Sequence, residues 1–330
     1  MTILIKSVLV MMLSLIISVC LGLILIPILK HINANQRLSE YLSIEHKNKE
    51  GTPTMGGLIF IIPVIIVMFF MYFFDKIEFN NTIIIIFITF LFYSLIGFID
   101  DFLIIKRNNN KGLSESLKFV LQVIVAIIFF YLFMKSGNEP LLWIHTLSIK
   151  FDIGFFYGIF ILLVLVSSSN AVNITDGLDG LAGSLSFIVF LTLGIISYNT
   201  GWLEGYEEVA LFCFSICGSL LGFLMFNLNP AKIFMGDTGS LALGATMGAI
   251  AILTRHEILL ILIGIVFVIE TLTCIIQRIY YKFTHKRLFL MTPIHHAFEK
   301  KGYSEREIVK LFCLVGILAS MLALIFGVIL

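Results

Sequence analysis

Long apolar runs, separated by short polar connections, dominate this chain. A membrane-spanning helix needs about 20 mostly apolar residues, and most of the runs reach that length. They predict helices at 3–29, 56–74, 82–99, 117–134, 154–169, 181–198, 207–226, 239–254, 257–277 and 309–329. The pattern therefore predicts an all-α, polytopic membrane protein with about ten transmembrane helices. We interpret residues 1–330 as a single integral-membrane domain.

Composition supports this fold class and excludes others. The chain is 59% hydrophobic and only 13% charged, with a mean hydropathy of +1.05. Soluble domains carry about 25% charged residues, and disordered chains combine low hydrophobicity with high charge. The net charge of +1 shows no basic excess, so we expect no nucleic-acid partner.

The basic residues are distributed unevenly between the predicted connections. The odd-numbered connections hold 17 of the 22 Lys and Arg residues, and the even-numbered ones hold 4. Cytoplasmic loops of membrane proteins are enriched in Lys and Arg. We therefore expect the odd-numbered connections to face the cytoplasm and both termini to lie outside.

The first of these connections ends in a loop rich in Gly and Pro. It contains Thr52 and Thr54, with Lys47 and Lys49 just before them. Free backbone N–H groups at the following helix start would favour an anion. An ordinary basic loop before a capped helix explains the same residues.

Two adjacent carboxylates, Asp100 and Asp101, follow the third predicted helix. Such a pair is costly near the membrane unless it is hydrated, paired or metal-bound. It is either a divalent-cation or acid/base site, or a solvated interfacial pair. Neighbours on a helix point about 100° apart, so we expect the two Asp to differ in role. Lys118 could return to the same region.

A polar stretch follows the fifth predicted helix. Asn170, Asn173, Asp176 and Asp179 recur at every third position, with no Lys or Arg nearby. We expect Gly177 and Gly180 to break this stretch into a loop whose carboxylates face a cavity. Cap and turn residues explain part of its composition.

The next connection carries Asp237, which is either the N-cap of the eighth helix or a carboxylate that binds Mg²⁺ with substrate phosphates. The last connection carries His295 and His296, which suit phosphate or carbonyl partners, metal ligands or a plain surface. Glu270 lies inside the ninth predicted helix. It is either functional, as intramembrane carboxylates generally are, or a polar partner between helices.

These groups gather on the predicted cytoplasmic face, and we expect nothing comparable on the opposite face. The asymmetry favours chemistry on a phosphorylated, cytosolic substrate at the membrane surface. A transporter would instead carry charges near the membrane midplane and show repeat-related broken helices. Apart from Glu270, the sequence shows neither.

Seven motifs occur in an order that resembles a known family. They are GTPTMGG (51–57), GFIDD (97–101), KGLS (111–114) with Lys118, NAVNITDGLDGLAG (170–183), FNLNPAKIFMGDTGS (226–240), ETLT (270–273) with Gln277, and PIHH (293–296) with FEKKG (298–302). The chain resembles the phospho-N-acetylmuramoyl-pentapeptide transferases, within the polyprenyl-phosphate N-acetylhexosamine-1-phosphate transferase superfamily. TPTMGG together with PIHH is specific to this branch.

The resemblance implies an activity. Phospho-N-acetylmuramoyl-pentapeptide would pass from its UDP-linked donor to undecaprenyl phosphate, giving lipid I and UMP with Mg²⁺ as cofactor. It also implies a bacterial inner-membrane protein with a cytoplasmic cleft, a homodimer, and a target of uridine-type nucleoside antibiotics. A transferase of N-acetylglucosamine-1-phosphate to the same lipid, and a transporter or lipid flippase, are the alternatives.

Roles carry over only where this sequence matches the motifs. Asp237 matches the Mg²⁺ ligand, Asp100 and Asp101 the paired carboxylates, and Lys118 a residue beside the phosphates. Ala297 stands where the family usually has a third consecutive His, which puts a role for that position in doubt. Positions implied near the uridine or on the nucleotide or catalytic side are Asn170, Asn173, Asp176, Gly177, Leu178, Asp179, Asn227, Phe234, Gln277, His295 and His296, with Thr52 and Thr54 in the matching loop.

Overall fold

The computed structural model describes residues 2–32, 34, 51–107, 112–144 and 149–329. Within them the chain is almost entirely helical, which confirms the predicted fold class. The helices are α1 Ile3–His31, α2 Leu58–Phe73, α3 Asn81–Arg107, α4 Glu115–Lys135, α5 Phe156–Thr175, α6 Leu181–Asn199, α7 Tyr206–Asn227, α8 Gly236–Leu253, α9 Glu257–Ile263, α10 Ile265–Thr284, α11 Ile294–Lys300 and α12 Glu305–Leu324, followed by a π-helical turn, Ile325–Ile329.

Eight of the described helices are long and apolar enough to span a membrane. The pair α9 and α10 adds a ninth span if it is counted as one, although the two helices are bent by 87°. Helix α2, with 16 residues, is apolar but shorter. The ten predicted apolar segments therefore all appear as helices, while the count of ten spans stays a prediction.

The bend between α9 and α10 corrects the single helix predicted at 257–277. Gly264 ends α9 and precedes α10. Glycine weakens a helix because it lacks a side chain to restrict its backbone, and sharp kinks often occur at such positions. The bend turns α10, which carries Glu270 and Gln277, away from the direction of α9.

Two other helices extend beyond their predicted ends. Helix α3 was predicted to end at residue 99 but continues to Arg107, so Asp100 and Asp101 lie within it. Helix α5 was predicted to end at residue 169 but continues to Thr175. Asn170 and Asn173 are therefore helical, and only Asp176 to Gly180 form the expected turn. Hydropathy underestimated both helices because their last turns are polar.

Helices α7 and α8 form the centre of the bundle and are buried along most of their length. Helix α1 packs along α7 through small residues: the Ser14 and Ser215 hydroxyls are 2.8 Å apart, and the Ser18 hydroxyl donates to the Ser219 carbonyl at 2.8 Å. At Gly218, a Cβ atom would lie 2.1 Å from the carbonyl oxygen of Met11. Small residues allow the backbones to approach closely, as in many membrane helix pairs.

A cluster around Arg255 ties together the ends of α4, α5, α8 and α9 on the face away from the C-terminal end of α5. The Arg255 guanidinium donates to the carbonyls of Glu139 (2.7 Å) and Leu141 (2.8 Å) and to the Tyr157 hydroxyl (3.1 Å). The Tyr157 hydroxyl in turn donates to Glu257. This face therefore carries a small buried polar cluster of its own.

A short antiparallel hairpin, absent from the predicted elements, borders the Arg255 cluster. Its strands are β1 Leu141–Ile144 and β2 Ile149–Asp152, and Leu141 pairs with Asp152. Four-residue strands are shorter than the apolar runs that identify membrane helices. The hairpin covers only a connection and leaves the helical fold class unchanged.

The close contact of α1 and α7 predicts a sensitive position. We expect Gly218→Ala to lower the free energy of unfolding by about 1–3 kcal/mol, the usual cost of overpacking. Thermal unfolding in detergent measures the loss. Gly201→Ala is the matched control, because a Cβ atom there meets nothing within 4 Å. Equal melting temperatures for the two variants would contradict the packing described here.

Candidate active site

Four helix ends bring the predicted chemical residues together. The C-terminal part of α3 contributes Asp100 and Asp101, α4 begins near Lys118, α5 ends after Asn173, and α8 carries Asp237 in its first turn. Carboxylate oxygens of Asp100, Asp101 and Asp237 lie within 4.8 Å of one another. The expectation that Lys118 returns to the Asp pair is confirmed. We call the three carboxylates and Lys118 the acidic cluster.

Close packing of α3 against α8 brings the carboxylates this near. At Gly97, a Cβ atom would lie 2.0 Å from the carbonyl oxygen of Asp237. Any larger residue would therefore push the start of α8 away from α3. Since Gly97 is one helical turn before Asp101, the same contact aligns that carboxylate with the first turn of α8.

Asp101 accepts hydrogen bonds from the beginning of α8. Its carboxylate receives the backbone N–H groups of Asp237 (3.2 Å) and Thr238 (3.0 Å) and the Thr238 hydroxyl (2.6 Å). The first N–H groups of a helix lack partners within the helix, and a carboxylate there is stabilised by the helix dipole. The capping role considered for Asp237 thus belongs to Asp101, from another helix.

Asp100 has different partners, as expected from its position on the helix. Its Oδ1 atom accepts the backbone N–H of Leu113 at 2.8 Å and lies 3.1 Å from Lys118 Nζ. Within the part of the chain that the structure describes, no hydrogen bond is recorded at its Oδ2 atom. Among the described residues, Asp100 therefore has one oxygen without a partner, whereas both oxygens of Asp101 are engaged with α8.

Asp237 links the cluster to α5. Its Oδ2 atom accepts from Lys118 Nζ at 2.6 Å, and its Oδ1 atom accepts from the Asn173 amide at 2.7 Å. The Asn173 amide also donates to the Ser240 hydroxyl at 2.9 Å. Three carboxylates with one nearby lysine leave an excess of negative charge, and carboxylate oxygens are ligands that Mg²⁺ prefers. The donor set therefore suits a divalent cation.

Asp176 lies in the turn after α5, where it is influenced by the carboxylates of the acidic cluster. Burial, followed by the carboxylates of Asp237, Asp101 and Asp179, raises the pKa of Asp176 from 3.8 to about 8, although the Gly236 amide opposes this shift. A bound cation would relieve such repulsion. Asp176 is thus close enough to the cluster to respond to its charge, while the prediction that the carboxylates of this turn face a cavity stays a prediction.

The loop between α7 and α8 is held by two residues predicted near the uridine. Asn227 accepts the Gly180 N–H (3.1 Å) and donates to the Ile233 carbonyl (2.9 Å), and Asp179 accepts the Ala231 N–H (3.0 Å). Both residues are buried. They hold the loop that carries Phe234, and this supporting role was not recognised from the sequence.

The Gly-rich loop before α2 packs against the same segment. The Gly56 and Gly57 N–H groups donate to the carbonyls of Phe234 and Met235, each at 2.8 Å. The sequence suggested that these N–H groups are free to bind an anion, but the structure shows them bonded to carbonyls of the loop before α8. Thr54 is buried next to Gly236, and Thr52 is partly buried. Lys47 and Lys49 lie outside the described residues.

The remaining predicted residues lie around this centre or beyond it. The Asn170 amide donates to the Val166 carbonyl of its own helix at 2.8 Å. Gln277 accepts the N–H groups of Leu288 and Phe289 in the loop after α10, and no described contact joins it to the cluster. Leu178 is buried, Gly177 contacts His295, and His296 lies beside Glu299.

Sequence reasoning missed several supporting residues. Thr238 and Ser240 bind Asp101 and Asn173, and Leu113 binds Asp100 through its backbone. Asn229 donates to Asp179 at 3.2 Å and to Glu305 at 2.9 Å, linking the loop to the start of α12. The hydroxyl residues Thr238 and Ser240, which follow the MGD triplet, could have been recognised from the sequence. A backbone donor such as the Leu113 N–H leaves no signal in the sequence.

Comparison with known proteins agrees with this site. Residues 83–255 match the family described as Glycosyl transferase family 4, and residues 49–61 match the phospho-N-acetylmuramoyl-pentapeptide-transferase signature 1. Among proteins with that transferase name, the chain is 42% identical to one from Geobacillus thermodenitrificans over 314 residues, covering 95% of each chain. It is 44% identical to one from Staphylococcus epidermidis over 321 residues, covering 96% of this chain and 97% of the relative.

The family match spans the acidic cluster and the membrane helices that form it. The protein is thus a membrane transferase of Glycosyl transferase family 4. Within that class, identity over nearly the whole chain shows that it belongs to the phospho-N-acetylmuramoyl-pentapeptide-transferase family.

The different partners of the two adjacent carboxylates predict separable effects. Asp101→Asn should lower the free energy of unfolding by about 1–3 kcal/mol, because a buried donor of α8 loses its acceptor. Asp100→Asn should leave thermal stability near that of the wild type but reduce turnover. Thermal unfolding and UMP release, measured on both variants, test this. Equal destabilisation by the two substitutions would contradict the assignment.

Proposed function

We propose that this protein transfers phospho-N-acetylmuramoyl-pentapeptide from its UDP-linked donor to undecaprenyl phosphate, forming lipid I and UMP. The acidic cluster carries the proposal, because it places carboxylates and a lysine at the ends of apolar helices. A lipid-borne phosphate and a soluble nucleotide can meet at such a place. The name shared by the relatives specifies the sugar and peptide.

Asp237 is the residue we propose to hold Mg²⁺, and Asp100 beside it is the proposed base. Asp237 is central to the cluster, and Asp100 retains an oxygen without a recorded partner among the described residues, while Asp101 is engaged by α8. A bound Mg²⁺ would neutralise charge on the diphosphate as UMP departs. Lys118, between Asp100 and Asp237, would bind phosphate oxygens beside it.

The proposed reaction is direct. An oxygen of the lipid phosphate attacks the sugar-linked phosphorus, a new P–O bond forms, and the phosphoanhydride bond to UMP breaks. Asp100 accepts the proton of the lipid phosphate if that phosphate arrives protonated. Phosphoryl transfer depends mainly on positioning and charge neutralisation, which the cluster supplies. A phosphorylated aspartate formed with the nucleotide donor alone would instead indicate a two-step route.

The turn after α5 and the loop before α8 form the proposed nucleotide side. Phe234 would stack on the uracil, while Asn227 and Asp179 maintain the loop that presents it. Polar groups from the turn would read the edge of the base. The proposed set is Thr52, Thr54, Asn170, Asn173, Asp176, Gly177, Leu178, Asp179, Asn227, Phe234, Gln277 and His296, with His295 nearer the reacting groups.

The uneven distribution of Lys and Arg supports an active site on the cytoplasmic side of the bacterial inner membrane. Ten spans, external termini and a homodimer belong to the same proposal, as does inhibition by uridine-type nucleoside antibiotics. The soluble donor would reach the cluster from the cytoplasm, and undecaprenyl phosphate from the surrounding bilayer.

Donor choice tests the function. Purified protein with Mg²⁺ and undecaprenyl phosphate should release UMP and form a lipid product with UDP-N-acetylmuramoyl-pentapeptide, but not with UDP-N-acetylglucosamine. Chromatography of UMP and of the lipid measures both. Turnover of the second donor alone would favour the related N-acetylglucosamine-1-phosphate transferase. Flux of lipid without UMP from either donor would favour a flippase.

Cation binding can be tested without turnover. A ligand that binds only the folded protein stabilises it by about 2.7 kcal/mol at a hundred times its Kd, so Mg²⁺ should raise the melting temperature. Asp237→Asn should abolish this shift and the electron paramagnetic resonance signature of bound Mn²⁺. Asp75→Asn, at an exposed carboxylate, is the control. A shift that persists in Asp237→Asn would place the cation elsewhere.

A further inference from the structure

Glu270 and His295 form a buried pair beside the turn that follows α5. Glu270 lies in α10 and His295 in α11, and both side chains are completely buried. Glu270 Oε1 is 3.1 Å from His295 Nδ1. Glu270 is therefore a polar partner between two helices, which is one of the two alternatives considered from the sequence. The pair also has a second feature.

The outer atoms of this pair lack hydrogen-bond partners within the described residues. Glu270 Oε2 and His295 Nε2 are both buried and have no hydrogen-bond partner among these residues. The close contact between Oε1 and Nδ1 is not aligned as a hydrogen bond. The neighbouring Thr273 hydroxyl donates to the Glu270 backbone carbonyl, not to its carboxylate. Buried polar groups usually have partners, so a free ring nitrogen here points to a ligand.

His295 Nε2 lies against the turn that borders the acidic cluster. At Gly177, a Cβ atom would lie 2.5 Å from His295 Nε2. Gly177 follows Asp176, whose pKa responds to Asp237 and Asp101. The unpartnered nitrogen therefore reaches the wall of the proposed nucleotide side, and the glycine leaves room for it.

We propose that Glu270 is a positioning residue that holds the Nδ1 proton of His295 and directs Nε2 to a phosphate or sugar oxygen of the donor. This rests on the proposed function. The partner of one ring nitrogen of a histidine determines the role of the other, and at 3.1 Å Glu270 Oε1 is within reach of a proton on Nδ1. Glu270 contacts no reacting atom and acts through His295.

A purely structural role is less consistent with these contacts. Replacing a buried ion pair by apolar residues of similar volume is often neutral or stabilising, so helix packing alone does not require a carboxylate. A structural carboxylate would also engage both oxygens, as Asp101 does. Among the described residues neither Glu270 oxygen accepts a hydrogen bond, and Oε1 only approaches the imidazole of His295.

The test combines kinetics with stability on the full-length protein. Glu270→Gln keeps the shape of the side chain but allows its amide to donate to Nδ1, which would favour the wrong tautomer. We expect kcat/KM to fall about 10- to 100-fold, as for other residues that orient a functional histidine, with an unchanged melting temperature. Glu270→Asp should recover part of the activity.

A double-mutant cycle separates positioning from packing. If Glu270 acts through His295, adding Glu270→Gln to His295→Gln should reduce kcat/KM no further than His295→Gln alone. Glu257→Gln is the matched control: it alters another buried carboxylate of the bent helix pair, which pairs with Tyr157 in the Arg255 cluster. It should leave kcat/KM within about twofold of the wild type, the scale of a few tenths of a kcal/mol.

The outcomes are distinguishable. Independent, multiplicative losses in the double variant, or a lower melting temperature that accounts for the loss in Glu270→Gln, would overturn the positioning role. Wild-type activity in Glu270→Gln would overturn it as well, while leaving the transferase function intact. An absence of UMP from the wild-type protein itself would defeat the proposed function, and the role of Glu270 with it.

Discussion

The contact of Asp101 with the first turn of α8 is the interaction on which the site depends. It joins the two helices that carry all three carboxylates, and it satisfies N–H groups that have no partner within α8. Gly97 makes the contact possible, because α3 meets the Asp237 backbone where any side chain would collide. Without this approach, Asp100 on α3 and Asp237 on α8 would lie too far apart to share Lys118 or a ligand.

The acidic cluster shows how a membrane protein stabilises charged side chains near an apolar bilayer, which disfavours them. Lys118 lies between the carboxylates of Asp100 and Asp237, and the Asn173 amide on α5 donates to the other oxygen of Asp237. One lysine does not neutralise three carboxylates, and burial together with neighbouring carboxylates raises the pKa of Asp176 to about 8. The Arg255 cluster differs, because its guanidinium is surrounded by carbonyl and hydroxyl acceptors and braces the fold. Incomplete neutralisation marks the acidic cluster as a place for a cation and a phosphate.

Much of the architecture was predictable, because hydropathy over 20 residues reports directly on the environment of a helix. The apolar runs located every long helix, and the polar motifs located the cluster. Helix ends were the weak point. Asp100 and Asn173 belong to helices that continue past their apolar runs, since backbone hydrogen bonds need no apolar side chains to extend a helix. The bend at Gly264 and the hairpin likewise depend on local backbone geometry, to which hydropathy is insensitive.

Composition and residue order are enough to predict a membrane protein, the uneven distribution of its charge and the residues available for phosphate chemistry. What each polar residue does depends on the fold. Asp101 binds the start of α8, whereas Asp100 does not. Asp179 and Asn227 hold the loop between α7 and α8. Glu270 lies beside His295, which is 25 positions away in the sequence. These roles depend on which backbone groups approach from other helices, and close packing sets those distances.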